Sequence, residues 1–458
     1  MVITRDKSFY KTLISLAIPI SLQNLITFAV GFVDNIMIGS LGGDAISGVY
    51  MGNQPQIVLQ MFVGGMEGAI LVLATQYWGR RDIKSIRKVV SIGIKGSIIV
   101  GVIMSVAAIA FPEQIIRVFT PENEGVVQEG AAYLRIVGVS YLFFCISQVF
   151  IAAMRSVEVA RIGLYVSVLA LGLNAGLNYV FIFGKLGFPA MGVQGAALAT
   201  LISRIVEAAV IVIYVFKVDN RLQLKFKDLL QTDRVLLKDF VKYGIPIIAG
   251  NLVWSVNMLG NSAILGRFSR EIITATSVTS MLHNLIYVWM NGLSSSVGII
   301  TGKTVGAGEY DKMKEYAKTV QVMFVIVGLI SGLVTFLLKD PFISLYNVDP
   351  VEREYASQFI NVISITIIGT CYQAASLFGL VKSGGDISFV FKMDTVAVIF
   401  VLTVSFLAAF VFHAPAWVVF ACLKCDQILK CIVAVVKINR FNWMKNLTRN
   451  FDGEEAVT

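Results

Sequence analysis

The sequence predicts an all-α polytopic membrane protein, with twelve transmembrane helices in two pseudo-symmetric lobes of six. Three observations carry that expectation. Of 458 residues, 56% are hydrophobic and only 15% charged, with a positive mean hydropathy, which lies outside the range of soluble globular enzymes. Apolar runs close to the roughly 20 residues that cross a bilayer recur between charged breaks. Finally, one constant shift lays Pro19 on Pro246, Asn24 on Asn251, Gly39 on Gly266, Gly79 on Gly306, and the tripeptide Met154 to Ser156 on Val381 to Ser383. Six spans per repeat is an even number, so the copies share one orientation and are related by an axis along the membrane normal.

In order, the spans are expected at 12–38, 45–75, 89–111, 133–153, 164–184, 193–216, 243–266, 274–301, 319–338, 358–381, 394–412 and 418–436. The first run is too long for a signal-peptide core and lacks a cleavage site, so it stays as an anchor. The lobes are bounded at 1–217 and 242–440, with a connector at 218–241 that reads as an amphipathic surface helix and a tail at 441–458. The tail's last residues have the composition of a disordered segment. Basic residues cluster in alternate loops: Arg80, Arg81, Lys84, Arg87 and Lys88 in one, and Lys217, Arg221, Lys225, Lys227 and Arg234 in the connector. The intervening loops hold Glu113, Glu122, Glu124 and Glu129, then Asp340, Asp349, Glu352 and Glu354. The positive-inside rule therefore places both termini in the cytoplasm. The net charge of +9 reflects this topology and no nucleic-acid partner, because no basic run is dense enough. The partners expected are the lipid bilayer and small molecules, with the chain a monomer. Asn446 to Thr448 form a glycosylation sequon that the cytoplasmic side leaves inert.

Asp34 lies near the end of the first span, and a charge in lipid costs at least ~2.5 kcal/mol, so such acids mark ion or substrate paths unless they reach water at a helix end. Glu67 sits about two and a half turns inside the second span, among Gly64, Gly65 and Gly68, and either functions or is held neutral or paired with Lys95 or Arg204. Arg204 and Glu207, three apart, share a helix face and read as an ion pair. Lys424, Asp426 and Lys430 read as a self-neutralising interior cluster. Tyr50, Met61, Tyr141, Trp254, Met258, Tyr287 and Trp289 are candidates to line a substrate cleft, since soft and aromatic surfaces accept varied cations; lipid-facing packing is the competing explanation for each. All five cysteines lie in apolar runs, so neither disulfides nor CxxC metal chemistry at Cys422 and Cys425 is expected. With only His283 and His413, and neither HExxH nor GxSxG, an enzyme is not expected.

The IP and VDNIMIGSLG of the first helix, QYWGRRD after the second, MRS after the fourth, and LNAGLNYVFIFGKLGFPAMGVQGAALAT at 173–200 resemble the multidrug and toxic compound extrusion (MATE) family. The resemblance implies a V-shaped pair of lobes around a central cleft. It also implies a secondary active antiporter that exports organic cations and amphipathic drugs against protons or sodium ions by alternating access, without a bound cofactor or metal. It assigns cation coupling to Asp34, with Asn174, Asn178 and Thr200 beside it, and helix bending to Pro19. A proline inside a helix removes one backbone hydrogen bond, which agrees with the last assignment. Several relatives have Asp where this chain has Asn178, which removes one carboxylate from the sodium site those relatives build. Another branch places acids on the seventh and tenth helices, where 251–257 and 369–377 here have none. The alternative is a lipid-linked oligosaccharide flippase of the same superfamily, which would need several unpaired basic residues in its cleft.

Single cysteines placed at Glu122 and Asp349 are expected to react with an impermeant maleimide from outside the cell, and those at Lys225 and Lys445 are not. External labelling at Lys225 would show the lobe boundary or the orientation to be wrong.

Overall fold

The computed structural model describes residues 3–120, 123–346 and 348–449, so Glu122 and the tail from 450 onward lie outside the described residues. Every regular element among them is helical. In chain order these are α1 (Lys7–Gly39), α2 (Gly43–Gly52), α3 (Gln54–Gly79), α4 (Ile83–Ala110), α5 (Pro112–Phe119), α6 (Glu124–Ser156), α7 (Arg161–Phe183) and α8 (Gly192–Ile213). There follow α9 (Phe226–Leu230), α10 (Arg234–Leu265), α11 (Arg270–Gly306), α12 (Tyr310–Leu337), α13 (Lys339–Ile343), α14 (Pro350–Gln373), α15 (Ile387–Phe406), α16 (Ala416–Lys424) and α17 (Asp426–Asn439). Helices α8, α14 and α15 continue into wider π-type turns at Tyr214–Val218, Ala374–Lys382 and Leu407–Val411.

Each of the twelve expected spans falls on helix. Among the described residues, nine helical segments are by themselves long and apolar enough to cross a membrane. The other expected spans lie on α10 and α11, which are diluted by Asn, Ser and Thr, and on α16 with α17, each too short alone. The second span is broken at Asn53, because Pro55 has no N–H to continue the helical ladder. The connector differs from the single surface helix expected. It is a turn, the one-turn α9 and the first turns of α10, because two aspartates divert the backbone. Asp219 accepts the N–H groups of Leu222 and Gln223 at 2.7 and 3.2 Å, and Asp233 those of Val235 and Leu236 at 2.9 and 3.1 Å, each bonding local N–H groups outside a continuous ladder. Asp82 and Asn123 cap α4 and α6 in the same way.

The chain forms two compact units. One comprises Leu22–Ala74 and Asp82–Gly244; the other comprises the chain up to Ser21, Thr75–Arg81, and the chain from Ile245 onward. The divisions inside α1 and α10 fall within two residues of Pro19 and Pro246 respectively, the two prolines that the repeat superposes.

In the first unit α6 is central, packing against α4, α8, α2 and α5 around Leu59, Ile116, Leu134 and Tyr141. In the second, α14 is central, packing against α11, α12, α16 and α17. Its core divides into a cluster around Phe359 and Phe420, stacked at 4.4 Å, and another around Phe324 and Trp443 that also takes in Phe9 and Leu13.

One corner of this second unit is held by polar contacts. Gln76 donates to the carbonyls of Ser383 and Lys445 at 3.3 Å each, and its Oε1 accepts from Leu447 N at 2.7 Å. Asp386 receives Lys437 at 2.7 Å and Lys445 at 2.8 Å; burial raises its pKa, but the bonds from these two ammoniums outweigh that and hold the carboxyl below its ordinary value. Residues up to Arg449 of the expected tail are thereby packed onto the unit, and Asn446 of the sequon turns its Oδ1 back to Thr448. Gly79 and Gly306, paired by the repeat, lie in one contact: a Cβ on Gly79 would strike the Lys303 carbonyl, and one on Gly306 the Gln76 carbonyl.

Gly306→Leu is therefore expected to lower stability by about 1–3 kcal/mol, the usual cost of overpacking against backbone that cannot yield. Thermal unfolding of the detergent-purified variant measures it, with Gly308→Ala, where nothing lies within 4 Å of the added Cβ, exposing the cost of positive φ alone.

Candidate functional site

The site is built in the first unit where α1, α7 and α8 meet. Helices α7 and α8 form a tight antiparallel pair because Gly184 ends α7 in the left-handed region at φ 64°, allowing Lys185 N to reach Val180 O at 3.0 Å. The chain then returns through Met191 N bonded to Phe181 O at 2.8 Å. Asn174 and Asn178, four residues apart, share one face of α7, and Thr200 of α8 comes opposite.

A polar relay results. Asn178 Nδ2 donates to Asp34 Oδ1 at 2.5 Å and to Asn174 Oδ1 at 3.3 Å, and Asn174 Nδ2 donates to Thr200 Oγ1 at 3.3 Å. Both asparagines are fully buried, whereas Asp34 and Thr200 are half-buried. The four coupling residues predicted on α1, α7 and α8 are thus one connected network. Asn178 Oδ1 has no partner. Tyr133 of α6, which sequence reading missed, stands beside Thr200 and donates to Asn53 Oδ1 at 3.2 Å. No sequence signal distinguishes it from the other aromatic residues of α6.

Arg204 forms the expected ion pair, Nη1 to Glu207 Oε2 at 2.6 Å, and stacks over Phe144 at 5.2 Å. Gln148 completes it by donating to Glu207 Oε1 at 3.3 Å. Arg204 also acts electrostatically on Asp34.

Glu67 belongs to a second group. Its charged neighbour is neither Lys95, which bonds the Leu230 and Gln231 carbonyls and Thr232 Oγ1, nor Arg204, but Arg155. Arg155 belongs to the MRS tripeptide, and its Nη2 donates to Gln23 Oε1 at 2.7 Å while its buried Nε has no partner. The sequence reading missed Arg155 because α3 and α6 meet only through tertiary packing.

The proposed cleft residues are dispersed. Tyr50 on α2 is exposed and Met61 on α3 half-buried, while Tyr141 lies in the core at 1% exposure, its hydroxyl unpartnered. In the other unit Trp254 and Met258 project from one exposed face of α10, Trp289 is exposed on α11, and Tyr287 stacks on His283 at 5.9 Å. Pro19 is buried within α1. Among the described residues no group of His, Cys, Asp and Glu has the makings of a metal site.

The sequence model described as MatE matches twice, over residues 19–180 and 246–415, so the matches begin at the two repeat prolines and together span most of the chain. A protein named probable multidrug resistance protein NorM from Thermotoga maritima is 28% identical over 357 residues, 78% of this chain and 76% of the relative. Probable multidrug resistance protein YoeA from Bacillus subtilis is 23% identical over 343 residues, 74% of each chain. The fold is shared with a crystal structure of MATE in complex with MaL6, at a TM-score of 0.84 and 18% identity over 94% of this chain and 96% of that one. It is shared equally with the outward-facing conformation of a multidrug resistance MATE family transporter, at 0.84 and 17% over 96% and 99%. With the doubled match, the all-helical membrane fold and the repeat in agreement, the chain belongs to the MatE family and is a multi-pass membrane transporter, not an enzyme.

Proposed function

We propose that the chain is a plasma-membrane antiporter that exports organic cations and amphipathic drugs in exchange for protons by alternating access, as a monomer with both termini cytoplasmic. The observation that carries this reading is the single carboxylate Asp34 set in an otherwise neutral relay of Asn178, Asn174 and Thr200. A carboxyl that loses water gains proton affinity, and one that meets a cation or water releases the proton, so drug and proton compete for one negative charge. The names of the relatives, which refer to multidrug resistance, support the substrate class.

The choice of proton over sodium rests on Asn178. Sodium wants several oxygen ligands with enough negative charge, yet the group that meets Asp34 is the amide Nδ2, a donor. An amide suits both protonation states of the acid, giving N–H to the ionised carboxyl and, turned over, the unpartnered Oδ1 to the protonated one. Glu67, on which Arg155 acts electrostatically, is a further exchangeable acid. The flippase alternative fits this unit less well, because its interior Arg204 already has a carboxylate.

In liposomes containing purified protein, ethidium efflux is expected to follow an imposed pH gradient and to ignore a sodium gradient, and Asp34→Asn to reduce it to the level of empty liposomes while inserting normally. Efflux driven by sodium with the pH gradient collapsed would overturn the proton assignment; full efflux from Asp34→Asn would overturn the role of the acid. Asn178→Asp is expected to make transport respond to sodium, since it adds a carboxylate where the donor now stands. A sodium-indifferent, fully active Asn178→Asp would contradict the part assigned to the amide.

A further inference from the structure

The connector after the first repeat, which packs on α4 within one unit, sorts its charges into an inner and an outer set. Its acids are Asp219, Asp228, Asp233 and Asp239, and all of them are spent inside the protein. Asp219 and Asp239 are buried. Asp228 accepts Lys225 N at 2.9 Å and faces Arg87 Nη1 at 3.7 Å, and Asp233 meets Lys88 Nζ at 3.1 Å. Helix α4 adds Arg87 Nε to Leu222 O at 2.8 Å, and Ser91 Oγ to the Leu229 and Gln231 carbonyls at 2.9 and 3.0 Å. The connector is thus stapled along α4 by groups that leave no carboxylate for its own surface.

The basic residues of the same stretch, Arg221, Lys225, Lys227, Arg234 and Lys238, are all exposed. Arg221 reaches back to Val157 O at 2.6 Å. The other side chains make no hydrogen bond or ion pair with a described residue. Uncompensated cations therefore cover the outer side of the connector.

The same staple fixes how deep the connector lies. Lys95 Nζ bonds the Leu230 and Gln231 carbonyls at 3.1 and 3.0 Å and Thr232 Oγ1 at 2.6 Å. Helix α4 is long and apolar enough to cross a membrane, and its span is expected to begin at residue 89. At the rise of an α-helix, Lys95 then stands about 9 Å inside that limit. An interfacial segment buries its apolar side to a depth of about 5–10 Å, so the end of α9 lies at the boundary of headgroups and acyl chains. There Leu230 is 81% exposed and Phe226 68%, one face of the Phe226 ring being stacked on Phe216 at 4.2 Å. Apolar side chains at this level belong in the acyl boundary, and lysines beside them lay their stems along it and raise their ammoniums to the headgroups.

We propose that the connector binds anionic phospholipids of the leaflet it faces. Phe226 and Leu230 enter the acyl boundary, and Lys225 and Lys227, with Arg234 and Lys238, hold the lipid phosphates. A zwitterionic headgroup brings its own ammonium beside the phosphate, so only an anionic one answers this surplus of positive charge. The proposal is independent of the exported substrate and of the coupling ion.

Leu230→Trp supplies a reporter where little packing is lost, in full-length protein held in phosphatidylcholine nanodiscs. Its emission, taken as the difference from protein with Leu230, is titrated with phosphatidylglycerol or phosphatidylcholine brominated in the upper acyl chain. A lysine near an anionic surface is worth about fivefold in lipid affinity, so brominated phosphatidylglycerol should half-quench at about a tenfold lower lipid fraction than brominated phosphatidylcholine. Lys225→Gln with Lys227→Gln should bring the two lipids within about twofold, while Lys225→Arg with Lys227→Arg, or Lys185→Gln in the α7–α8 loop, should keep the preference. Excess glycerol phosphate should leave it unchanged, since a soluble phosphate has no acyl chain to hold it. In wild type, which requires no variant to fold, dioctanoyl phosphatidylglycerol should raise the unfolding temperature of detergent-purified protein more than dioctanoyl phosphatidylcholine does. Equal quenching by the two lipids, a preference that survives the double glutamine variant, displacement by glycerol phosphate, or equal stabilisation of wild type overturns the proposal. Quenching by neither lipid also overturns it, because the connector would then stand in water, open to a soluble partner.

Discussion

A bilayer offers no water to a polar group, and nearly everything in this chain follows from that constraint. Backbone amides must be satisfied within their own segment, which leaves helices as the structure of every span. Side chains face the same requirement, and the polar ones here meet it in small closed groups. The relay from Asp34 to Thr200, the Arg204, Glu207 and Gln148 set, and Lys430 between Asp394 and Asp426 are three such groups. Residues left incompletely satisfied stand out against this background, among them Asn178 through its Oδ1 and Arg155 through its Nε.

The two units solve the same packing problem with different chemistry. Both descend from one repeat, each centred on a long helix, α6 or α14, around which the others pack. Their interior charges are not copies. Arg155 and Lys382 occupy equivalent repeat positions, yet the acid acting on Arg155 is Glu67 of α3, and the acid acting on Lys382 is Asp394 of α15. Duplication preserved the helices, whose spacing the bilayer dictates, while the buried polar groups were free to change partner as long as each new charge found compensation.

Much was legible in the linear chain because the bilayer acts on local properties. Length and apolarity of a run decide whether it spans, and all twelve expected spans fall on helices. The repeat and the first-span motif were enough to point to the family that the MatE match then established. Asn174 with Asn178, and Arg204 with Glu207, were within reach because helical periodicity puts residues three or four apart on one face. The turn chemistry of the connector was less legible: its amphipathic pattern suggested one helix, and Asp219 and Asp233 instead bonded local N–H groups and divided it.

What the tertiary structure alone decided is which groups from different helices meet. The sequence offered Lys95 and Arg204 as basic partners for Glu67, but the packing of the helices makes Arg155 the cation that acts on it. Tyr133 and Asn53 came to the relay of Asp34, Gln23 to Arg155, and Asp394 to Lys430 across intervals that no periodicity marks. Tyr141 shows the same limit from the other side, since an aromatic residue in a span looks alike in sequence whether it faces a cleft, lipid or the core in which it is buried. The sequence by itself determined the helices, the repeat and the kind of groups placed in the membrane, because those follow from local composition. The pairing of those groups depends on the rotation and register of whole helices, which only the summed packing of the fold sets.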